Sequence, residues 1–370
     1  MFTIHQWMGL AIGLYAGFIG VTGALVVSRQ DLQAVTYPEF FRPERSAGEP
    51  NDDPSVVLSN LRAAYPGYSL SGIDFPTYRR DTFLAYVSQG DEFKTVFAHP
   101  VSGRVSGELP FDWIRTLQEL HFNFMTGRTG LVVNGVASAC LLVMCITGAI
   151  VWWPGAARWA QALRVDVGRG WKRVIWELHG AVGAWTWLLL VIWAVTGISF
   201  AFSQPFRRVL DSVAPLTVVR PPDSDPARAG RQPVPAPEDL LVRAQRAVPD
   251  AQIARLVLPF GPRGAFLVVM ARAVHGDYDT SDEMSVYFDQ YTGELLEVRD
   301  SDMRTTGDSI MAWLGPLHVG SFGGRTIKII WAAAGLAFPL LFVTGCVVWW
   351  NRSVAGNRKN DLGLAGPGTR

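Results

Sequence analysis

Residues 120–153 read LHFNFMTGRTGLVVNGVASACLLVMCITGAIVWW, and residues 317–350 read LHVGSFGGRTIKIIWAAAGLAFPLLFVTGCVVWW. Both carry Leu-His, Gly-Arg-Thr, Thr-Gly and Val-Trp-Trp in the same places, and the interval from His121 to Thr147 equals that from His318 to Thr344. Four spaced matches of this kind mark an internal repeat. A second pair confirms the pattern: His5-x3-Gly9 runs on to Thr22-Gly23, and His179-x3-Gly183 to Thr196-Gly197, again with one shared His-to-Thr interval. The chain reads as two copies of span, soluble segment, span.

Four stretches, Trp7–Val27, Thr129–Trp153, Leu178–Phe202 and Ile329–Trp350, have the length and apolarity to cross a ~30 Å hydrocarbon core, which takes about 20 helical residues. The first has no Lys, Arg, Asp or Glu from Met1 to Ser28, is longer than a signal-peptide core and has no clear cleavage site, so it reads as a retained anchor. Composition agrees: of 370 residues, 49% are hydrophobic and only 18% charged, against about 25% in soluble domains. A net charge of +1 supplies no basic face for nucleic acid. The three cysteines (Cys140, Cys145, Cys346) all lie in apolar runs, which disfavours a disulfide framework or a thiolate-ligated cluster.

The expected fold is an integral membrane α-helical bundle of four transmembrane helices with a two-fold internal repeat and two small α+β units outside the membrane. The expected division is 1–28 transmembrane helix, 29–120 first soluble unit, 121–153 helix, 154–177 loop, 178–203 helix, 204–317 second soluble unit, 318–350 helix and 351–370 tail. Arg158, Arg164, Arg169, Lys172 and Arg173 crowd the short loop after the second span, and Arg352, Arg358 and Lys359 follow the fourth. The positive-inside rule then puts both chain ends in the cytoplasm and both soluble units on the outer face, with Trp152–Trp153 and Trp349–Trp350 anchoring at the inner interface.

Each soluble unit offers a helix, Pro54–Ala64 or Glu238–Ala247, then a strand–turn–strand signature ending Thr95–Val105 or Ser285–Leu296. Residues 220–237 are proline-rich and read as a linker. Asp277-Tyr-Asp279-Thr-Ser281 begins like a calcium loop, but Asp282 stands where Gly is needed and Phe288 where Glu is needed. His99 and His275 fall outside the repeat and read as surface residues.

The four repeat-related histidines carry the chemistry. His5 and His179 open outward-going helices; His121 and His318 precede inward-going ones. One histidine from each half therefore meets its counterpart at each face. At a helical rise of about 1.5 Å per residue, the run from His5 to Thr22, or from His179 to Thr196, covers about 25 Å and brings each Thr-Gly to the face opposite its own His. Ionisable groups at spans are functional by default. Two imidazoles facing across a bundle suit a b-type haem, two in all, with His5 and His179 on the inner iron and His121 and His318 on the outer. Zinc is disfavoured, because it takes three or four protein ligands. Gly9, Gly13 and Gly17 either clear space for a macrocycle or pack helices closely; the Thr-Gly pairs either leave room for the ring edge or turn the Thr hydroxyl onto an i−4 carbonyl. Arg128 and Arg325 either hold haem propionates or snorkel at the interface. No catalytic acid or base is apparent.

These blocks, together with the Tyr287-Phe-Asp-Gln-Tyr-Thr-Gly293-Glu hairpin, resemble the PepSY-associated transmembrane family over nearly the whole chain. The first hairpin, Phe97-Ala-His-Pro-Val-Ser-Gly103-Arg, matches more loosely, with His99 where the family prefers an acidic residue. The resemblance implies an inner-membrane, multi-pass, di-haem reductase of ferric siderophores, hydroxamate-type among them, fed by a cytoplasmic or quinol electron donor. It leaves open a non-redox PepSY sensor or protease-inhibitor-type membrane protein, and a haem or iron transporter.

Overall fold

The computed structural model describes residues 1–44, 54–77, 80–90, 92–109, 113–217, 221–230, 233, 236–272 and 283–361, with backbone only at 301 and 355–361. The calcium-loop candidate at Asp277–Ser281 and His275 lie outside the described residues. In chain order the helices and strands are α1 (Phe2–Val27), α2 (Arg29–Thr36), α3 (Pro38–Phe41), α4 (Pro54–Ala64), β1 (Ser69–Asp74), β2 (Phe83–Gln89), β3 (Glu92–Ala98), β4 (Val105–Glu108), α5 (Trp113–Asn123) and α6 (Arg128–Trp152). There follow α7 (Trp159–Ala162), α8 (Trp171–Ala201), α9 (Ser203–Val213), α10 (Pro237–Ala247), β5 (Gln252–Val257), β6 (Ala265–Ala271), β7 (Glu283–Asp289), β8 (Leu295–Arg299), α11 (Thr306–Val319), α12 (Gly324–Gly335) and α13 (Ala337–Asp361).

Among the described residues four helical stretches are long and apolar enough to cross a membrane: α1, α6, α8 and Ser321–Val354, which contains α12 and most of α13. α1 packs on α6 and α13, and α8 packs on the same two, closing a four-membered bundle. Small residues set the approach, as expected where lipid removes the hydrophobic drive between helices. Gly13 faces the Phe342 ring, Gly17 faces Pro339 and Gly20 meets the Gly335 carbonyl, where a Cβ would collide. In the glycine stripe after His5, Gly13 and Gly17 therefore serve close packing against the fourth span, while Gly9 faces Met144 of α6. Pro339 has no N–H to give the Gly335 carbonyl, so the fourth span breaks at Leu336 into α12 and α13, and Gly20 closes on the break. The third span begins at Trp171, ahead of the expected start at Leu178. Lys172 and Arg173 are carried into its first turn, and Arg173 pairs with Glu177 one turn on at 2.7 Å.

The soluble segments form one eight-stranded antiparallel sheet in the order β4-β3-β2-β1-β5-β6-β7-β8. Where two units were expected, one sheet runs through both. The seam is β1 on β5, pairing Gly72 with Val257, Ile73 with Leu256 and Asp74 with Arg255. Gly72 is required there, since a Cβ would stand 2.8 Å from the Leu256 carbonyl oxygen. The Asp74 carboxylate is buried at the seam, where it takes the Arg255 guanidinium and, at 2.9 Å, the Tyr86 hydroxyl. Alternation puts Phe83, Ala85, Val87, Val96, Val268, Met270, Met284 and Val286 on one face of the sheet. On that face lie Val57, Leu58 and Leu61 of α4 and Leu240, Leu241 and Ala244 of α10, all buried. A fully buried leucine of this kind contributes about 2 kcal/mol by area.

The two expected hairpins close with different chemistry. At the β3–β4 turn, His99 Nδ1 accepts the N–H groups of Val101 and Ser102, and Gly103 is left-handed at φ 61°. At the β7–β8 turn, Asp289 accepts those of Tyr291 and Thr292, and Gly293 is left-handed at φ 67°. His99 is thus a half-buried turn acceptor rather than a free surface residue. Burial pushes the Asp289 carboxyl up, but N–H donation from Asp225, Tyr291 and Thr292 outweighs it and holds the group below its usual range. The proline-rich linker is tied to this turn: Asp225 N–H donates to Asp289, and Gln290 N–H donates to buried Ser224.

Candidate metal centre: two histidine pairs

α1 carries His5 near its start and α8 carries His179, and the two imidazoles meet with ring centres 6.4 Å apart and planes at 78°. This is the loop end of the bundle, where α6 runs out toward α7 and the chain begins. At the other, sheet end, His121 and His318 meet at 6.3 Å with planes at 62°. All four rings are half-buried. Each pair joins one histidine from each half of the chain.

Every ring is held by the threonine of a Thr-Gly motif. His5 Nδ1 lies 3.2 Å from Thr147 Oγ1, and His179 Nδ1 2.9 Å from Thr344 Oγ1. His121 Nδ1 lies 3.0 Å from Thr22 Oγ1, and His318 Nδ1 2.7 Å from Thr196 Oγ1. Each bond stays within one half of the chain, so within each pair the two halves face each other ring to ring. The neighbouring glycine makes room for the ring. A Cβ on Gly23, Gly148 or Gly345 would stand 3.0, 3.0 or 3.2 Å from the Cε1 of His121, His5 or His179. Gly197 differs: its Cβ would strike Ser138 instead. The second reading of the Thr-Gly motif is realised, each Thr hydroxyl lying on its i−4 carbonyl.

The expected boundaries at 121 and 318 shift. His121 belongs to α5 and His318 to α11, short helices ahead of the spans rather than part of them. The breaks are conformational: Phe124 and Met125 are left-handed at φ 53° and 58° and Gly127 at 61°, while Gly320 and Gly324 stand at 68° and 64°. A helix cannot continue through such residues. Arg128 and Arg325 consequently sit in the first turns of α6 and α12, on different helices from His121 and His318, and both are exposed.

Sequence reasoning missed the residues that tether α5 and α11. Asn134 on α6 donates to the His121 carbonyl at 2.8 Å and to that of Phe122, and itself accepts from Tyr15. Trp193 on α8 donates to the His318 carbonyl at 2.9 Å, and Trp331 on α12 to the Leu317 carbonyl at 2.8 Å. The signal was present in Asn134, an amide inside an apolar run, which needs a partner in hydrocarbon. The tryptophans carried none beyond the rule that a buried indole N–H finds an acceptor.

The donor set limits the metal. Among the described residues no three His, Cys, Asp or Glu converge on one point, so each pair offers two imidazoles and nothing more. An imidazole nitrogen bonds a metal at about 2 Å and stands about 1 Å from its ring centre, so two imidazoles reaching one ion from opposite sides have centres about 6 Å apart. Both observed separations fit. Two imidazole donors are a ligand set that a b-type haem uses, and the residues present fit one.

A bundle with four membrane-crossing helices, a histidine pair at each end and a sheet beyond one end defines a multi-pass membrane protein with paired imidazole donors. The chain belongs to the PepSY-associated TM region family, whose model matches residues 2–352. It is 26% identical over 258 residues to the "Uncharacterized protein PA4219" of Pseudomonas aeruginosa, an alignment covering 64% of this chain and 63% of that protein's length.

Proposed function

We propose that this chain is a two-haem b reductase of a bacterial inner membrane that delivers electrons outward to a ferric siderophore and releases its iron. The observation that carries the reading is the pair of imidazoles at each end of the bundle, 6.4 and 6.3 Å between centres. In this reading the loop end is cytoplasmic, following the five cations at 158–173, and the sheet lies in the periplasm. The strand order, with matching helices α4 and α10, supports a two-fold repeat joined at the β1–β5 seam.

Haem supplies reversible one-electron ferric–ferrous chemistry when bound. His5 and His179 hold the site nearer a cytoplasmic or quinol donor, and His121 and His318 the site nearer the periplasm. One electron from that donor converts ferric iron in the siderophore to ferrous iron, which hard oxygen ligands hold far less tightly. The transfer needs proximity and no proton donor. The soluble segments have no cysteine, which leaves the sheet-end pair as the last protein-held redox site before the acceptor. Arg128 and Arg325, exposed in the first turns of their helices, would in this reading pair with haem propionates.

The purified protein should show low-spin haem bands that sharpen with dithionite and are reversed by a ferric trihydroxamate. A protein that takes up no haem on reconstitution would overturn the whole reading. One that holds haem but is not reoxidised by the trihydroxamate would remove the siderophore.

A further inference from the structure

We propose that the four threonines Thr22, Thr147, Thr196 and Thr344 set the tautomer of the histidines, protonating Nδ1 and leaving the Nε2 lone pair for the metal. This rests on the haem reading above and adds to it the residues that prepare each ligand.

The argument starts from one proton. A threonine hydroxyl has a single hydrogen to give and two lone pairs to receive with. In all four cases the hydroxyl oxygen lies against the carbonyl one turn back: Thr22 on Phe18 at 3.0 Å, Thr147 on Val143 at 2.9 Å, Thr196 on Ile192 at 2.7 Å and Thr344 on Leu340 at 2.7 Å. A carbonyl oxygen cannot donate. Two oxygens at that separation without a hydrogen between them repel, so the threonine proton is spent on its own helix. What Oγ1 has left for the imidazole at 2.7–3.2 Å is a lone pair. The imidazole must then be the donor, through Nδ1–H.

A neutral imidazole carries one proton, so a donor Nδ1 fixes Nε2 as the basic nitrogen. That is the form a metal binds, and the bond from the other nitrogen both orients the ring and raises its basicity. At three of the four sites the glycine after the threonine completes the clamp: Gly23, Gly148 and Gly345 let the ring edge close to van der Waals contact. Glu177, the carboxylate of the third span, is taken by Arg173, and the ordinary i−4 habit of a helical threonine does this work instead.

The test removes the hydroxyl but keeps the shape. Thr→Val at each position should weaken retention of haem at that end alone, by about 10- to 100-fold, as losses of such outer bonds do. Wherever haem is retained, its midpoint potential should rise, because a less basic imidazole favours the ferric state less. Thr→Ser should restore both. Gly148→Ala, which crowds His5 but leaves Thr147 intact, should loosen haem at the loop end without needing the hydroxyl change to be tolerated. If the Val variants keep wild-type haem content and potential while the parent protein holds two haems, the clamp is wrong and the haem reading stands. A parent protein without haem overturns both.

Discussion

The two histidine pairs differ in what holds them. His5 and His179 lie inside continuous spans, where the helix ladder already fixes the backbone and only the ring needs a partner. His121 and His318 lie near the ends of α5 and α11, helices too short to cross and separated from the spans by left-handed residues. The last four carbonyls of any helix lack intrahelical donors. In α5 and α11, Asn134, Trp193 and Trp331 reach from the spans to supply them. The sheet-end pair is thus positioned by side chains, and the loop-end pair by main chain. The first arrangement costs strain as well: a left-handed non-glycine such as Phe124 or Met125 is worth about 1 to 2 kcal/mol against it. Position that the spans do not provide has to be provided bond by bond.

Reporter fusions give the sharpest break in this comparison, since they decide which pair faces the cytoplasm. Alkaline phosphatase joined at Asp225 should be active and at Arg164 inactive; the reverse pattern would exchange the two ends and the direction of electron flow. Next in size, His5→Ala or His179→Ala should remove the loop-end haem and leave the other, and His121→Ala or His318→Ala should do the opposite. Haem counted per polypeptide reads this, and full occupancy in all four variants would end the ligand assignment. The tethers come third. Asn134→Leu and Trp193→Phe should weaken the sheet-end haem about tenfold and spare the loop end; equal loss at both ends would mean the tethers hold the bundle generally. Arg128→Gln with Arg325→Gln should have the smallest effect, a shift in sheet-end potential with occupancy kept, read by redox titration. A potential unchanged at both ends would return the two arginines to the interface.

Much of this was legible from the two blocks beginning at Leu120 and Leu317, because the spans, the histidines and the Thr-Gly motifs recur in them at fixed spacing. Helical rise alone brought each histidine to the level of the opposite threonine. The break between His121 and Arg128 was not legible, although Gly127 and Gly324 stood in the quoted motif. Glycine permits a left-handed turn without requiring one, and Phe124 and Met125 give no hint of it. The seam was hidden for another reason. Asp74 and Arg255 pair across 181 positions, and two edge strands look the same in sequence whether they meet each other or end a sheet. The broken fourth span was written in Pro339, but hydropathy averages over it.

The continuous sheet has a geometric consequence. β4 leads into α5 at one edge, and β8 into α11 at the other. Seven steps of about 4.8 Å put those edges about 34 Å apart. α5 and α11, with 11 and 14 residues, are about 16 and 21 Å long, together just enough to close that width. The sheet thus joins, across the β1–β5 seam, the two halves whose helices α5 and α11 carry His121 and His318 near their ends. His5 and His179, by contrast, lie on α1 and α8, into which no strand leads directly among the described residues.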